Sequence, residues 1–348
     1  WCRFHRRHLY QLLRVFVIYF VYKFALCPIS FGKVYHWIRG QAMLKLYVLM
    51  AMVEVFDRLM CSFGQDAMDS LYWNVTKRPY HHRLIASTLV CLIYAVAHSL
   101  ILFVHAATLN VAMNSADSAL MSLLIGGNFA EIKSTVFKKY NKQNLFKITT
   151  SDICERFKLV FFLGLVLLLN CSQGGMNQEM VNAYIAQSFF ILFAEIICDW
   201  IKHSFITKFN FIKSSVYQDY SLVLAGDITG LGHESMHMDH CHAVVKRLGF
   251  AQIPLVCVMM RYVKEAVRFA DTLTHDGDSN HVLYSFAVVW TNGSWHRISW
   301  WMFSTFICLV GIKFLLGWAL TRRARSIILY APVEASVDNS APQRRQAV

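Results

Sequence analysis

The stretch Leu84–Met113, LIASTLVCLIYAVAHSLILFVHAATLNVAM, decides the fold class. It contains no Asp, Glu, Lys or Arg and exceeds the roughly 20 apolar residues that a helix needs to cross a bilayer. In hydrocarbon the backbone has no water to bond to, so such a run satisfies its own amides as a helix. Working outward, Leu9–Phe31, Phe157–Leu169, Val181–Phe205, Gly249–Phe269 and Ser299–Leu320 repeat the pattern, the first despite Arg14 and Lys23 inside it. Phe157–Leu169 is short and needs its flanks, and Ala42–Cys61 is a weaker seventh candidate. The expected architecture is all-α: a polytopic helical membrane domain over residues 1–330 with about six transmembrane helices plus interfacial amphipathic helices. Residues 331–348, rich in Ala, Ser, Pro and Arg, read as a loose tail with little to repay the entropy of ordering.

Composition excludes a soluble globule. With 56% hydrophobic and 16% charged residues and a mean hydropathy of +0.39, a 40.1 kDa chain has too little polar surface. The formal net charge of +13 sits beside the apolar spans rather than in a separate basic domain, which fits lipid headgroups and not nucleic acid. Ten cysteines are scattered singly without a CxxC pair, several inside spans (Cys91, Cys198, Cys257, Cys308), and read as inert buried thiols. The chain opens on Trp1 and shows no signal-peptide pattern.

Lys and Arg near span ends set the expected orientation. Clusters at Arg3, Arg6 and Arg7, at Lys138, Lys139, Lys142 and Lys147, at Lys202, Lys208 and Lys213, and at Arg322, Arg323 and Arg325 read as cytosolic. Asn170–Met180 and Asp271–His281 lack Lys and Arg and read as lumenal. Lys77, Arg78 and Arg83 conflict with six crossings. A crossing by Ala42–Cys61 removes that conflict but obliges Ser118–Phe129 to re-cross or re-enter.

Two polar regions carry the remaining information. Val34–Trp73 has a helical mix of apolar and charged positions, with Glu54 and Arg58 one turn apart and Asp57 between them. Each lone charge at bilayer depth costs roughly 2.5–3.5 kcal/mol on insertion scales, so these groups pair, face a bundle interior or lie at the interface. In Asn128–Phe157 the residues Phe129, Ile132, Val136 and Tyr140 form one stripe, and Lys133, Lys138, Lys139, Lys142 and Lys147 are the membrane-surface residues of a basic amphipathic helix. Thr150-Ser151-Asp152 followed by Glu155 reads as the start of the next helix. Glu195, Asp199 and Lys202 fall on one helical face, with Asp199 within reach of Lys202. Together with Glu54, Asp57 and Arg58 they are either structural ion pairs or an ion pathway, the structural reading being favoured. His98 and His105 share a face of the central span and read as packing histidines.

His233-Glu234-Ser235-Met236-His237 satisfies the HExxH pattern of zinc hydrolases, and His240 and His242 follow closely. Gly230 and Gly232 just upstream oppose a helix there, so a solvated loop is preferred over metal ligation by His233, His237, His240 and His242. No phosphate loop and no GxSxG occurs, and no cofactor is expected.

The words YHWIRGQAMLKLYVLMAMVEVFDRLMCSFGQDAMDSLYW, ATLNVAMNS, NFAEIKSTVFKKYNKQNLF, SDICERF, AEIICDWIKHSFITKFN and KRLGF, in order over Tyr35–Val263, resemble the transmembrane anterior posterior transformation family. The resemblance implies a non-enzymatic, multi-pass endoplasmic reticulum membrane protein linked to protein maturation and, in animals, to cilia and developmental patterning. It also implies a segment upstream of Trp1. The expected partners are membrane lipids and a protein of the endoplasmic reticulum membrane or lumen. The expected role is scaffold or adaptor; the alternative is an ion or small-solute transporter or channel using Glu54, Glu195 and Asp199, although no inverted repeat is apparent.

Overall fold

The computed structural model describes residues 6–76, 81–114, 126–127, 131–133, 135–172, 178–229, 247–275 and 295–329. The His-rich run 233–242, residues 276–281 of the acidic connector, and the tail 331–348 lie outside them. Among the described residues every regular element is helical, as the apolar runs require.

Helix α1 (Arg6–Phe20) passes directly into a π-helical turn, Val21–Leu26. The first expected span therefore ends near Leu26, and the buried Arg261 guanidinium caps the chain there by donating to the carbonyls of Leu26 (3.2 Å) and Ile29 (2.8 Å). Helix α2 (Phe31–Arg39) stops at Gly40, and α3 (Met43–Thr76) runs 34 residues, about 50 Å at 1.5 Å per residue. Helix α4 (His81–Met113) contains the stretch that decided the fold class.

Helix α5 (Lys142–Ser172) corrects two expectations. Its cap is Asn141, whose Oδ1 accepts the Asn144 N–H at 2.8 Å. Ser151 instead lies within the helix and donates to Glu155 at 2.9 Å, so a pattern read as a helix start is a side-chain pair. The expected continuous amphipathic helix is also interrupted. Residues 131–133 and 135–136 are helical, but 137–141 are not, while Lys133, Lys138, Lys139, Lys142 and Lys147 are all exposed. Helices α6 (Gln178–Phe209), α7 (Val216–Thr229), α8 (Gln252–His275) and α9 (Trp295–Leu329) complete the order.

Among the described residues three segments are long and apolar enough to cross a membrane: Leu9–Leu26, Arg83–Met113 and Glu179–Phe209. The other expected spans are helical, and Ser299–Leu320 carries a single charge, Lys313. Arg261, Lys264, Glu265 and Arg268 interrupt α8, and Asp152, Glu155, Arg156 and Lys158 border the apolar part of α5. On α6, Phe193 is 62% and Trp200 70% exposed, an outward apolar face suited to lipid.

The chain divides into two compact units, Trp1–Thr135, Ser151–Lys202 and Gly249–Asn292 in one, and Val136–Thr150, His203–Leu248 and Gly293–Val348 in the other. In the first, α4 packs against α2, α3, α8 and the π turn. Small buried residues on α4, Ala95, Ser99, Ala106 and Ala112, admit close approach, which matters because lipid tails give no hydrophobic drive to helix association. At Gly64 of α3 a Cβ would stand 2.1 Å from the Tyr94 hydroxyl oxygen. Phe31, Phe103 and Tyr262 form an edge-to-face trio with centroids 5.2–6.1 Å apart. The second unit buries Leu145, Ile206, Val216 and Tyr220 together, and α9 packs on α7. Burial pushes the Tyr220 phenol up to about 12, and its hydroxyl donates to the Lys142 carbonyl. Phe211 holds φ at 53°, a left-handed conformation costing roughly 1–2 kcal/mol for a residue with a side chain.

Candidate functional site

Three helices of the first unit carry charges one turn apart: α3 with Glu54, Asp57 and Arg58, α5 with Asp152, Glu155, Arg156 and Lys158, and α6 with Glu195, Asp199 and Lys202; Asp57, Asp152, Asp199 and Lys202 are buried, whereas Glu54 and Arg58 are exposed. Glu131 joins from the segment between α4 and α5. Helical spacing brings positions three and four apart together, so each helix presents a short ionic ladder.

The centre is Asp57, 3% exposed. Its Oδ1 accepts from His98 Nε2 at 2.8 Å, and its Oδ2 pairs with the Lys158 ammonium. His98 Nδ1 lies 3.0 Å from the Tyr94 hydroxyl. With Nε2 protonated and donating to the carboxylate, Nδ1 accepts from Tyr94, so one neutral tautomer satisfies the whole chain of bonds. Asp57 also receives Cys61 Sγ at 3.8 Å. His98 stands fifteen residues from either end of the segment Arg83–Met113, so this polar knot sits at the middle of the central span. Removing either charge there would leave the other in a medium that solvates it poorly.

A second layer joins the remaining groups. Arg58 does not pair with Glu54 as its spacing predicts. It reaches across to Glu131 (3.0 Å) and Glu155 (3.2 Å) instead, because its long guanidinium stem can bridge two carboxylates on neighbouring segments. Lys202 contacts Asp152 (2.9 Å), Asp199 (3.0 Å) and Glu131 (3.7 Å), and Arg156 contacts Asp199 (3.2 Å). The expected Asp199–Lys202 pair is present, embedded in a larger set.

A cavity of about 90 Å³ opens beside this network, bounded by Glu54, Arg58, His105, Glu131, Glu155, Lys158 and Glu195 with apolar walls from Leu109, Leu159 and Phe162. Several water molecules fit such a volume. His105 presents a buried Nδ1 without a hydrogen-bond partner while its ring packs on Phe162. Seven carboxylates (Glu54, Asp57, Glu131, Asp152, Glu155, Glu195, Asp199) face four fixed cations (Arg58, Arg156, Lys158, Lys202). The cluster is therefore acidic on balance. Among the described residues two groups bring potential metal-ligand atoms within 4.8 Å of one another, Asp57 with Cys61 and His98, and Glu131 with Asp152 and Glu155. In both, Lys158, Lys202 or Arg58 already engages the carboxylates, so fixed cations supply the charge a metal would bring.

Among the residues singled out in the sequence, Asp57, Arg58, Asp199 and Lys202 enter the ionic network and Glu54 and Glu195 line the cavity. Asp199 is absent from the cavity wall. Sequence reasoning missed Glu131, Asp152, Glu155, Arg156 and Lys158. The last four of these were signalled as charges within seven residues, Asp152 to Lys158, abutting an apolar run, a placement that demands partners.

Comparison with known proteins gives a consistent picture. The profile of a eukaryotic membrane protein family matches residues 4–329. The Drosophila melanogaster "Protein TAPT1 homolog" is 37% identical over 257 residues, covering 73% of this chain and 38% of that protein. "Transmembrane anterior posterior transformation protein 1 homolog" of Danio rerio is 36% identical over 268 residues, 76% of this chain and 47% of the relative. The Homo sapiens protein of the same name is 36% identical over 263 residues, 74% of this chain and 46% of the relative. The chain thus spans less than half the length of these curated relatives. No solved structure matches.

Proposed function

The chain belongs to the eukaryotic membrane protein family that includes the transmembrane anterior posterior transformation proteins, and from that premise we propose that it is a non-enzymatic, multi-pass scaffold or adaptor of the endoplasmic reticulum membrane. Its role is in protein maturation and, in animals, in cilium-linked developmental processes. One observation favours a scaffold: each of the network's four cations pairs with a carboxylate on another helix, Lys158 with Asp57, Arg58 with Glu155, Arg156 with Asp199 and Lys202 with Asp152. Such matching fixes register and relative rotation of the helices. A firm bundle can then present outer faces to lipid and to a protein partner in the membrane or lumen.

The cavity favours a second reading. An excess of carboxylate around a wet volume suits an ion or small-solute pathway, with Glu54 and Glu195 as the groups that face the passing species. Asp199, engaged by Lys202 and Arg156, acts in that reading as a positioning residue.

Purification of the full protein from native endoplasmic reticulum membranes, paired with flux measurements after reconstitution into liposomes, separates the two. A stable stoichiometric protein partner with no flux above empty vesicles is the expected outcome. Cation flux that disappears in E54Q/E195Q, without a retained partner, would replace the scaffold by the transporter.

A further inference from the structure

In the second unit the end of α6 and the approach to α5 meet in a corner that is at once basic and oily. The side chain of Asn210, just past the last residue of α6, ties the two strands of chain together: its Oδ1 accepts the Tyr140 N–H at 2.8 Å and its Nδ2 donates to the Lys138 carbonyl at 3.3 Å. Phe137 and Phe209 lie with ring centroids 5.8 Å apart. These rings are not tucked inside. Phe137 is 78%, Phe209 52% and Phe211 95% exposed, and Phe211 is held out by a left-handed backbone that a phenylalanine adopts at a cost.

Around these rings Lys138, Lys139, Lys142, Lys208 and Lys213 are all exposed, while residues 136–150 and 203–218 contain no Asp or Glu. Three outward phenylalanines flanked in sequence by lysines gain nothing from water. They also begin where the membrane-crossing segment Glu179–Phe209 ends, which sets them at the level where a helix leaves hydrocarbon and meets headgroups.

We propose that this corner is a binding site for anionic phospholipids, with Phe137 and Phe211 seated among the upper acyl carbons and Lys138, Lys139, Lys208 and Lys213 holding headgroup phosphates and carboxylates. Charge complementarity selects the lipid class: a zwitterionic headgroup returns as much repulsion as attraction, whereas each lysine near an anionic surface strengthens binding about fivefold. Continuity with the span selects the membrane over a soluble acidic partner. The site depends on the membrane reading of the chain and is independent of whether the bundle acts as scaffold or transporter. The irregular turn at 137–141, which breaks the expected amphipathic helix, becomes the element that brings Lys138 and Lys139 to the end of α6.

The test is native mass spectrometry of the full protein in detergent, titrated with dioctanoyl phosphatidylserine, dioctanoyl phosphatidylcholine or inorganic phosphate. The wild-type chain is expected to bind the anionic lipid at least about tenfold more tightly than the zwitterionic one. K138Q/K139Q/K208Q/K213Q should lose that preference, the milder K208Q/K213Q should show an intermediate ratio, and F137S/F211S should weaken both lipids while leaving phosphate unchanged. Unaltered thermal unfolding is expected in all three, since every substituted side chain is exposed. Equal affinity of the wild type for the two lipids overturns the proposal, as does an anionic preference that survives both lysine variants. Phosphate binding as tight as the anionic lipid's also overturns it, since that would describe a simple anion site.

Discussion

Replacing Lys158 by methionine tests whether the mid-span knot holds the bundle together. The substitution keeps length and flexibility but deletes the ammonium on Asp57 Oδ2, leaving a carboxylate that is 3% exposed with His98 as its remaining strong partner. Breaking one side of a buried ion pair costs about 3–5 kcal/mol, because the surviving charge stays desolvated. For a chain of this size that corresponds to a fall in Tm on the order of 10 °C. The double variant D57N/K158M removes both charges, keeps a carbonyl oxygen for His98, and is expected to regain at least about half of the loss, since an uncharged replacement of a buried pair is often neutral. Thermal unfolding of the full protein in nanodiscs, followed with a thiol-reactive dye, reads this directly. Cys91 and Cys257 are buried and become reactive only on unfolding, whereas exposed Cys308 sets the baseline. A K158M protein that melts within about 2 °C of wild type, or a double variant whose loss is the sum of the two single losses, would refute the claim that the two residues form one coupled unit.

Charge reversal R58E should destabilise more than R58Q, and R58E/E155R should recover part of the difference in the same assay, because Arg58 bridges Glu131 and Glu155. G64V should lower stability by about 1–3 kcal/mol through overpacking against Tyr94, measured as a Tm shift. For the His-rich run, E234Q is expected to leave function intact in complementation of cells lacking the protein; loss of function with stoichiometric zinc would restore the hydrolase reading. A single cysteine at position 139, on a background lacking reactive thiols, is expected to react with an impermeant reagent in sealed microsomes while one at 276 reacts only after permeabilisation, and the reverse pattern would invert the orientation.

The helical class and the central span were legible from Leu84–Met113 because hydrophobicity over bilayer length is a local property. Family membership was legible for a related reason, since a long word such as AEIICDWIKHSFITKFN is read directly from contiguous sequence. The Asp199–Lys202 pair was also within reach, being three residues apart. What resisted reading was non-local or competitive. Lys158 finds Asp57 across 101 residues, and no periodicity announces such a partner. Arg58 had a near candidate in Glu54 and took distant ones, since tertiary placement outweighs a surface-type i,i+4 attraction of a few tenths of a kcal/mol. The start of α5 was misplaced because Ser and Asp suit a helix cap and also an interior position where their side chains bond to neighbours.

The separation of the charges along the chain has a consequence for synthesis. Asp57 emerges 41 residues before His98 and 101 residues before Lys158. At about 5–20 residues per second, the carboxylate waits roughly 5–20 s for its ammonium. Throughout that interval α3 carries a charge that bilayer insertion penalises by roughly 2.5–3.5 kcal/mol. His98 arrives first, on the most apolar helix, and gives Asp57 a provisional hydrogen bond. The Asp57–His98 bond can therefore form as soon as α4 is made, whereas the Asp57–Lys158 pair closes only after α5 has followed, so the pairs that lock the bundle also have an order in which they can form.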